Sequence, residues 1–592
     1  MFLRKNIREK DGKSHVYWTL VETYRTLHGP RQRIVSYLGE LNEGQQTGYR
    51  GLGDKLTNGE PRSVQQELFE VIKPGELIKV YPEKIRVERV RDFGDVWLGV
   101  SLWKVLQLDQ FFNERIEVGR EQVSWADMIC YVAVSRFSEP TSELAIAERL
   151  SQRHALCDIL GIAEWRVEDN RLYRTLDQLL PLKDTLTQHL KKRYGELFGI
   201  EYDIMLYDIT STYFEGTAEL NPQAAYGYSR DKRSDCKQVL VALVVTKEGF
   251  PLTYEVFAGN RRDVTTVKEI VQGIEAKYGK ARRVWVMDRG MVSEEILAWL
   301  SERGDGYLVG TPRSMLKDFE AQLTDKGWQE AEPGVEVKFA ASPYGTKELF
   351  VICRSAARAE KERAMLNRFM ARIEEGLKDL ATATQRANRP LSDRDTLQRK
   401  IGALLKTNAR AARFFEVKVE SVKDENKTRL HLSWTKKERL NDWAEISCGH
   451  YLLRANISDE LSQAELWKAY MDLTKVEDNF RVCKSDLGLR PIWHHKENRV
   501  QAHIFVCFLA LVLQRVLEAA LDRAGLGRSP RKVIEEFRAV KSMDLILPTD
   551  SGTELKMRVV SEPEPSLKIL MQHCKILIPK RLTKHPAHLS LS

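Results

Sequence analysis

Two aspartates hold matching places in the chain. Asp208 lies at the end of the apolar, strand-forming run Tyr202–Ile209 (YDIMLYDI), and Asp288 directly follows the run Arg283–Met287 (RVWVM). A carboxylate at the end of an apolar strand is costly unless something pairs with it. Mg²⁺ is the natural partner, a hard cation bound through one or two carboxylates plus phosphate oxygens. Two such ions about 3.5–4 Å apart activate water and stabilise the leaving oxygen of an in-line phosphoryl displacement. One Asp after a strand is more often a turn cap; the matched pair favours the metal reading.

A two-metal centre needs a third carboxylate, and a helix expected over residues 465–487 supplies Glu477. Tyr470, Glu477, Arg481 and Lys484 fall at offsets 0, 7, 11 and 14, one face at helical spacing. An apolar stripe, Leu473, Val476, Phe480, Cys483 and Leu487, runs beside them. Such a helix buries one flank against a sheet and presents an acid for metal and two cations for DNA phosphates. The alternative is an ordinary amphipathic helix with i,i+4 Glu–Arg support.

Weaker candidates lie nearby. Arg289 follows the second aspartate and is placed for phosphate or plain solvent. Thr210 and Thr212 are placed to steady Asp208 or a metal-bound water. The loop Tyr226–Lys237 interleaves two tyrosines with Arg230, Lys232, Arg233 and Lys237, the composition of a DNA-facing loop or of a basic surface loop. His494 and His495 are read as structural, because a lone adjacent pair seldom chelates. Trp328, Trp434 and Trp443 are read as packing residues rather than stacking platforms for a flipped base.

The elements that must position these groups follow from periodicity. After Tyr202–Ile209 come strands Gln238–Thr246 and Phe250–Phe257, joined by the tight turn Lys247-Glu248-Gly249 into a hairpin. A helix then carries Val267, Ile270, Val271, Ile274 and Tyr278 on one stripe, with Asp263 or Thr266 as its cap. The strand Arg283–Met287, a helix from about Ser293 to Gly304 and the strand Gly306–Gly310 complete a β-β-β-α-β-α-β order. That is the order of a ribonuclease-H-like core, with the two aspartate-bearing strands side by side at its centre.

Around this core the chain divides into further stretches. Residues 1–60 form a basic arm, with strand Ser14–Thr23 and hairpin mate Gln32–Leu38, followed by a linker over 41–60. The arm is either a DNA contact or a solvated edge ribbon. Residues 61–200 are helical, with helices starting near Trp125, Thr141, Asn170 and Lys183, a candidate module for binding DNA ends. The core runs over 201–314 and resumes over 450–525. Between its halves lies an insertion at 315–449, with strands Val335–Phe339, Leu349–Arg354, Phe414–Val419 and Arg429–Thr435 around a charged helical stretch Arg358–Arg410. Residues 526–592 are a candidate dimer or DNA contact. The expected fold class is thus α/β: a ribonuclease-H-like mixed sheet interrupted by a β-rich and helical insertion, with an N-terminal β arm and an all-helical domain.

Composition narrows the function classes. The 592 residues exceed one ordinary domain, and 43% hydrophobic with 30% charged residues fits a globular chain. The net charge of +9 permits nucleic acid as a partner without arguing for it alone. The eight cysteines are scattered with no C-x-x-C pair, which speaks against a zinc finger or disulfide framework and for free thiols in a reducing cytoplasm. The N-terminus lacks the apolar segment of a secretory signal. The longest apolar run, Ile504–Leu513, falls short of the roughly 20 residues of a spanning helix. No membrane association is expected.

Several motifs together resemble the DDE superfamily of insertion-sequence transposases. One group of that superfamily carries its catalytic Glu in the pattern Tyr-(2)-Arg-(3)-Glu-(6)-Lys; Tyr470, Glu477 and Lys484 fit it, and Leu473 stands where the Arg is expected. The segments 207–216 (YDITSTYFEG), 227–238 (GYSRDKRSDCKQ), 287–291 (MDRGM) and 480–492 (FRVCKSDLGLRPI) are also similar to this family. The resemblance covers roughly 200–315 and 445–515. It implies that Asp208, Asp288 and Glu477 form a catalytic metal triad using Mg²⁺, with Mn²⁺ able to substitute. Tyr470, Arg481, Lys484, Arg289, Arg230, Lys232 and Arg233 would face DNA. It further implies cleavage at the element's terminal repeats, strand transfer of the freed 3′-hydroxyl into target DNA, and a homodimer holding two ends in a bacterial or archaeal cytoplasm. The alternatives are a non-catalytic DNA binder descended from such an enzyme, and a ribonuclease-H-like nuclease without strand transfer.

Overall fold

The computed structural model describes residues 2–10, 13–26, 29–39, 79–117, 123–279, 283–386, 388–424, 427–457, 461–525, 529–550 and 552–582. The expected linker at 41–60 lies outside them. At the N-terminus, β1 (Phe2–Lys10), β2 (Lys13–Thr26) and β3 (Gly29–Gly39) form an antiparallel three-stranded sheet. The expected hairpin thus has a third strand on its first edge.

The segment expected to be all-helical begins with a strand, β4 (Arg86–Asp92). Helices α1 (Gly94–Val105), α2 (Trp125–Ser138), α3 (Asp169–Leu179) and α4 (Lys183–Phe198) follow. Ser124 starts α2 by accepting the Ala126 N–H. Almost every residue of α2 is buried, so it is a core helix rather than a one-sided surface one.

The centre of the molecule is a mixed sheet of nine strands. Third from one edge is β5 (Ile204–Tyr213), followed outward by the antiparallel hairpin of β6 (Gln238–Thr246) and β7 (Pro251–Ala258). All of β6 is buried, as its unbroken apolar run requires of a strand covered on both faces. The β6–β7 turn closes through Gly249 at φ 97°, a conformation that favours glycine. Helix α5 (Val267–Tyr278) crosses to β8 (Val284–Met287), and α6 (Glu294–Glu302), capped by Ser293, crosses to β9 (Gly306–Gly310). Strands β8 and β9 are parallel to β5. Neither Asp263 nor Thr266 caps α5: Asp263 accepts from Arg230 at 2.6 Å, and the Thr266 hydroxyl meets the Tyr207 hydroxyl at 2.7 Å.

The sheet continues past β9 in a way periodicity did not reveal. Strands β10 (Gln329–Glu332), β11 (Val335–Ala341) and β12 (Leu349–Ser355) belong to it, joined to β9 through a strand from beyond the insertion. The segment expected as a separate insertion from residue 315 therefore contributes three strands to the core. What leaves the sheet is α7 (Ala356–Gln385), α8 (Arg394–Thr407) and the hairpin of β13 (Phe415–Asp424) and β14 (Lys427–Lys436). These pack around their own apolar cluster, including Ile373, Leu377, Leu397, Phe414 and Leu432. The chain returns as β15 (His450–Ala455), antiparallel to both β12 and β9, with Arg354 opposite His450.

Two helices follow where one was expected: α9 (Gln463–Met471) and α10 (Leu473–Ser485). Ser462 and Glu465 form a capping box at the start of α9. At Asp472 the bonding tightens to i→i+3, with the Lys475 N–H on the Asp472 carbonyl at 2.9 Å. Then comes α11 (Glu497–Arg523), packed against α2, α3 and β7. By length and composition α11 is apolar enough to cross a membrane, contrary to the expectation from its ten-residue apolar run, but 78% of that apolar stretch is buried inside the protein. Finally α12 (Pro530–Arg538) leads to β16 (Lys541–Pro548) and β17 (Glu554–Val560), and β16 pairs with β4. The C-terminal strands thus close on the start of the helical segment instead of standing apart.

Candidate functional site

The register of β5 and β8 decides where the two aspartates sit. Tyr207 pairs with Met287 in a parallel ladder, so Asp208 and Asp288 are the next residues on adjacent strands. Partners in a parallel register point to the same face, so both carboxylates leave the sheet on one side. Helix α10 packs on β5, burying Leu473, Val476, Phe480 and Cys483 with Leu487 just beyond, the stripe read from the sequence.

Contacts from the other flank fix this helix. The Asn479 side chain, fully buried, donates to the Gly249 carbonyl at 3.0 Å and accepts from Arg515 at 2.7 Å. Lys475 donates to the Lys247 carbonyl at 2.8 Å. The β6–β7 turn therefore holds the first half of α10, the segment that carries Glu477.

Charge links the three acids. Burial pushes the Asp208 carboxyl up to about 6. The backbone N–H of Ile209 and the Arg230 guanidinium oppose that rise, while the Asp288 and Glu477 carboxylates add to it. Asp288 and Glu477 are both exposed. The set is looser than another: among the described residues, the ligand-type side chains whose donor atoms all lie within 4.8 Å are Glu143, His494 and His503.

Tyr470, at the end of α9, reaches back over the sheet. Its hydroxyl is raised above the ordinary tyrosine range, first by burial and then by the charge and hydrogen-bonding of the Asp288 carboxylate. A side chain on Gly310, the last residue of β9, would overlap that hydroxyl. Asp288, Arg289, Gly310, Lys468, Tyr470 and Lys475 all line a cleft of about 1040 Å³.

The remaining predicted residues take different places. Lys484 turns inward, its ammonium 2.9 Å from Asp231, an acid it shares with Arg490. Burial lowers the basicity of Lys484 and the Asp231 carboxylate opposes that. Arg481 is exposed and bound to Asp478 on its own helix at 2.6 Å. Tyr470, Glu477, Arg481 and Lys484 therefore do not share one exposed face, because the break at Asp472 and the pull of Asp231 turn them apart. Leu473, where the family pattern has Arg, is buried in the stripe. Arg230 bonds the Ile209 carbonyl and Asp263, which holds it beside Asp208. Arg233 is paired with Asp235 at 2.9 Å and lies over the Tyr213 ring; Lys232 and Arg289 are exposed.

Two residues escaped the sequence reading. Asp231 is nearly buried, and its Oδ2 has no hydrogen-bond partner. The signal for it was its place inside the basic run Arg230–Arg233, where an acid is out of keeping. Asn479 had none, since an amide within an amphipathic helix reads as solvent-facing.

The family model described as "Transposase DDE domain" matches residues 200–513, and the one described as "IS1634 family transposase, N-terminal domain" matches residues 3–67. No curated protein matches the chain.

Proposed function

The chain belongs to the insertion-sequence DDE transposases, and from that premise we propose that it cuts DNA at element ends and joins them to target DNA through Asp208, Asp288 and Glu477. The observation that carries this is the parallel register of Tyr207 with Met287, which puts the two aspartates at the ends of adjacent strands, with β5, the strand of Asp208, packed under the helix of Glu477. The core arrangement is read as ribonuclease-H-like.

The family generally uses divalent metal, and the donor set fits it. All three side chains offer the hard oxygens that Mg²⁺ or Mn²⁺ takes. Ionisation of Asp208 is opposed by its burial and by two neighbouring acids, a tension that a dication relieves. When bound, the metal supplies an acidified water and neutralises charge developing at the phosphate.

The protein's own residues do the positioning. The Ile209 N–H and Arg230 hold the ionised form of Asp208. The Tyr470 hydroxyl faces the Asp288 carboxylate and is placed to steer it. Asn479 and Lys475 fix the height of Glu477 over the sheet by tying α10 to the β6–β7 turn. Lys484 and Arg490 meet DNA phosphate in exchange for Asp231, while Arg289, Arg481, Lys232 and Arg233 extend the positive surface. Two element ends must be held together, so the working complex is a homodimer on double-stranded DNA.

The test is cleavage and joining of duplex bearing the element's ends by Asp208→Ala, Asp288→Ala and Glu477→Ala proteins. Each is expected to bind ends and to lose Mg²⁺-dependent cleavage. Undiminished cleavage by Glu477→Ala would remove the third acid from the assignment. End binding by the wild type without any cleavage would leave a DNA binder, and cleavage without joining a nuclease.

A further inference from the structure

Outside the acidic site, three ligand-type side chains from three parts of the chain meet in the interior. Glu143 begins the short helical turn that Ser142 caps after α2. His494 lies in the loop after α10, and His503 lies on α11. Their donor atoms all fall within 4.8 Å of one another, with His494 Nε2 and Glu143 Oε2 3.5 Å apart. Two ligands each about 2.1 Å from a tetrahedral ion stand roughly 3.4 Å apart. The Glu143–His494 separation is therefore that of two ligands around one ion, with a His503 nitrogen within 4.8 Å of both.

The second observation is independent of that spacing. Glu143 is 3% exposed and His503 5% exposed. Both present a buried atom with no hydrogen-bond partner, Oε1 of Glu143 and Nδ1 of His503. Buried polar atoms are nearly always paired, and two unpaired ones belonging to a single cluster point to a shared ligand. The groups facing the cluster are few. Arg136 on α2 has its Nη2 3.6 Å from Glu143 Oε1, longer than a hydrogen bond. Tyr173 on α3 meets the His494 ring edge-on, and Cys507 Sγ lies 4.0 Å from His503 Nε2. The Leu489 carbonyl also faces the His503 ring, along with Glu143. Burial, with Arg136 and His494, holds His503 far below its ordinary range, down to about 3, so its ring is neutral and has a lone pair to give.

We propose that Glu143, His494 and His503 form a transition-metal site, Zn²⁺ by its donor chemistry, separate from the acidic site. Two imidazoles and one carboxylate select zinc over magnesium, which prefers oxygen alone. The positive charge of Arg136 disfavours any cation without strong nitrogen affinity. His494 is the most exposed of the three, its side chain 12% exposed, so a fourth ligand, water, would enter on its side. The ion would brace the helical segment against the loop that follows the helix of Glu477. The proposal does not depend on the transposase reading.

The test uses the full chain, stripped of metal and titrated with zinc chloride or magnesium chloride by calorimetry and thermal melting. One zinc per chain is expected to bind at micromolar or tighter affinity and to raise the melting temperature. The site should persist in an Asp208→Asn, Glu477→Gln protein. Glu143→Gln or His503→Gln is expected to weaken zinc binding at least 100-fold. Should either buried variant fail to fold, His494→Gln, in the loop, is expected to weaken binding at least tenfold while the protein stays folded. Zinc affinity unchanged in His494→Gln, or zinc binding that vanishes in the Asp208→Asn, Glu477→Gln protein, would overturn the proposal.

Discussion

The hydroxyl of Tyr470 occupies the space that a side chain on Gly310 would fill. That makes glycine at the end of β9 a condition for Tyr470 to reach Asp288. Gly310→Ala is expected to displace the ring and slow Mg²⁺-dependent cleavage about tenfold, close to 1.4 kcal/mol in the barrier, with DNA binding unchanged. Single-turnover nicking of labelled end-bearing duplex measures it. A wild-type rate would mean that the orientation of Asp288 does not depend on Tyr470.

Asp208 sets a pH dependence in the metal-free protein. Its carboxyl holds a proton up to about pH 6 when folded, against an ordinary value of 3.8. Between those values the folded state binds more protons than the unfolded one, so stability falls as pH rises. The loss is about 2–3 kcal/mol. Urea unfolding at pH 4.5 and pH 7 is expected to show this component in the wild type and not in Asp208→Asn. Mg²⁺ at pH 7 should offset it in the wild type alone.

If Lys484 and Arg490 meet DNA as proposed, Asp231 competes with it for both. Asp231→Asn is expected to raise affinity for duplex and to steepen the dependence of log K on log salt by about one unit. It should also cost about 3 kcal/mol of stability, because two cations lose a nearly buried acceptor. Fluorescence anisotropy across a salt series decides the first point and chemical denaturation the second. An unchanged salt slope would leave Lys484 and Arg490 as purely structural cations.

Asn479 is a further residue proposed to position the acids. Asn479→Leu leaves the Gly249 carbonyl and Arg515 without their buried partner, an expected loss of about 2–4 kcal/mol. Because Glu477 is two residues away, cleavage is expected to fall while end binding persists. A stable variant cleaving at the wild-type rate would show that the β6–β7 turn does not set the height of Glu477.

Much of the core could be read from the sequence because its signals are local. The strand runs around Asp208 and Asp288, the glycine turn at 249 and the stripe from Leu473 to Leu487 are periodic or compositional. Their adjacency followed from the order of strands and crossover helices. The largest misses were non-local, though the break at Asp472 that splits one expected helix in two is local. Nothing near Leu349 states that β12 will join the sheet through a strand a hundred residues later. The pairing of β16 with β4 spans most of the chain. The turn of Lys484 toward Asp231, across some 250 residues, overrides helical spacing. His494 looked idle beside His495 because its companions, Glu143 and His503, are distant in sequence or on another helix.

The excursion that leaves the sheet begins and ends at a single point. Arg354 faces His450 across the β12–β15 ladder, and the Ser355 N–H bonds the Gly449 carbonyl at 3.1 Å. Topologically, residues 356–449 are the tip of a hairpin enlarged into a unit with its own apolar centre. Lengthening a loop adds little closure entropy, so this unit is a cassette: a short turn of two to four residues, of the kind that ordinarily joins antiparallel strands, would reclose β12 onto β15 without moving either aspartate. The sheet and the cassette share a seam, where Trp443 and Ile446 pack on Leu316, Phe350, Ile352 and Leu452, so an exchanged cassette must re-cover that face.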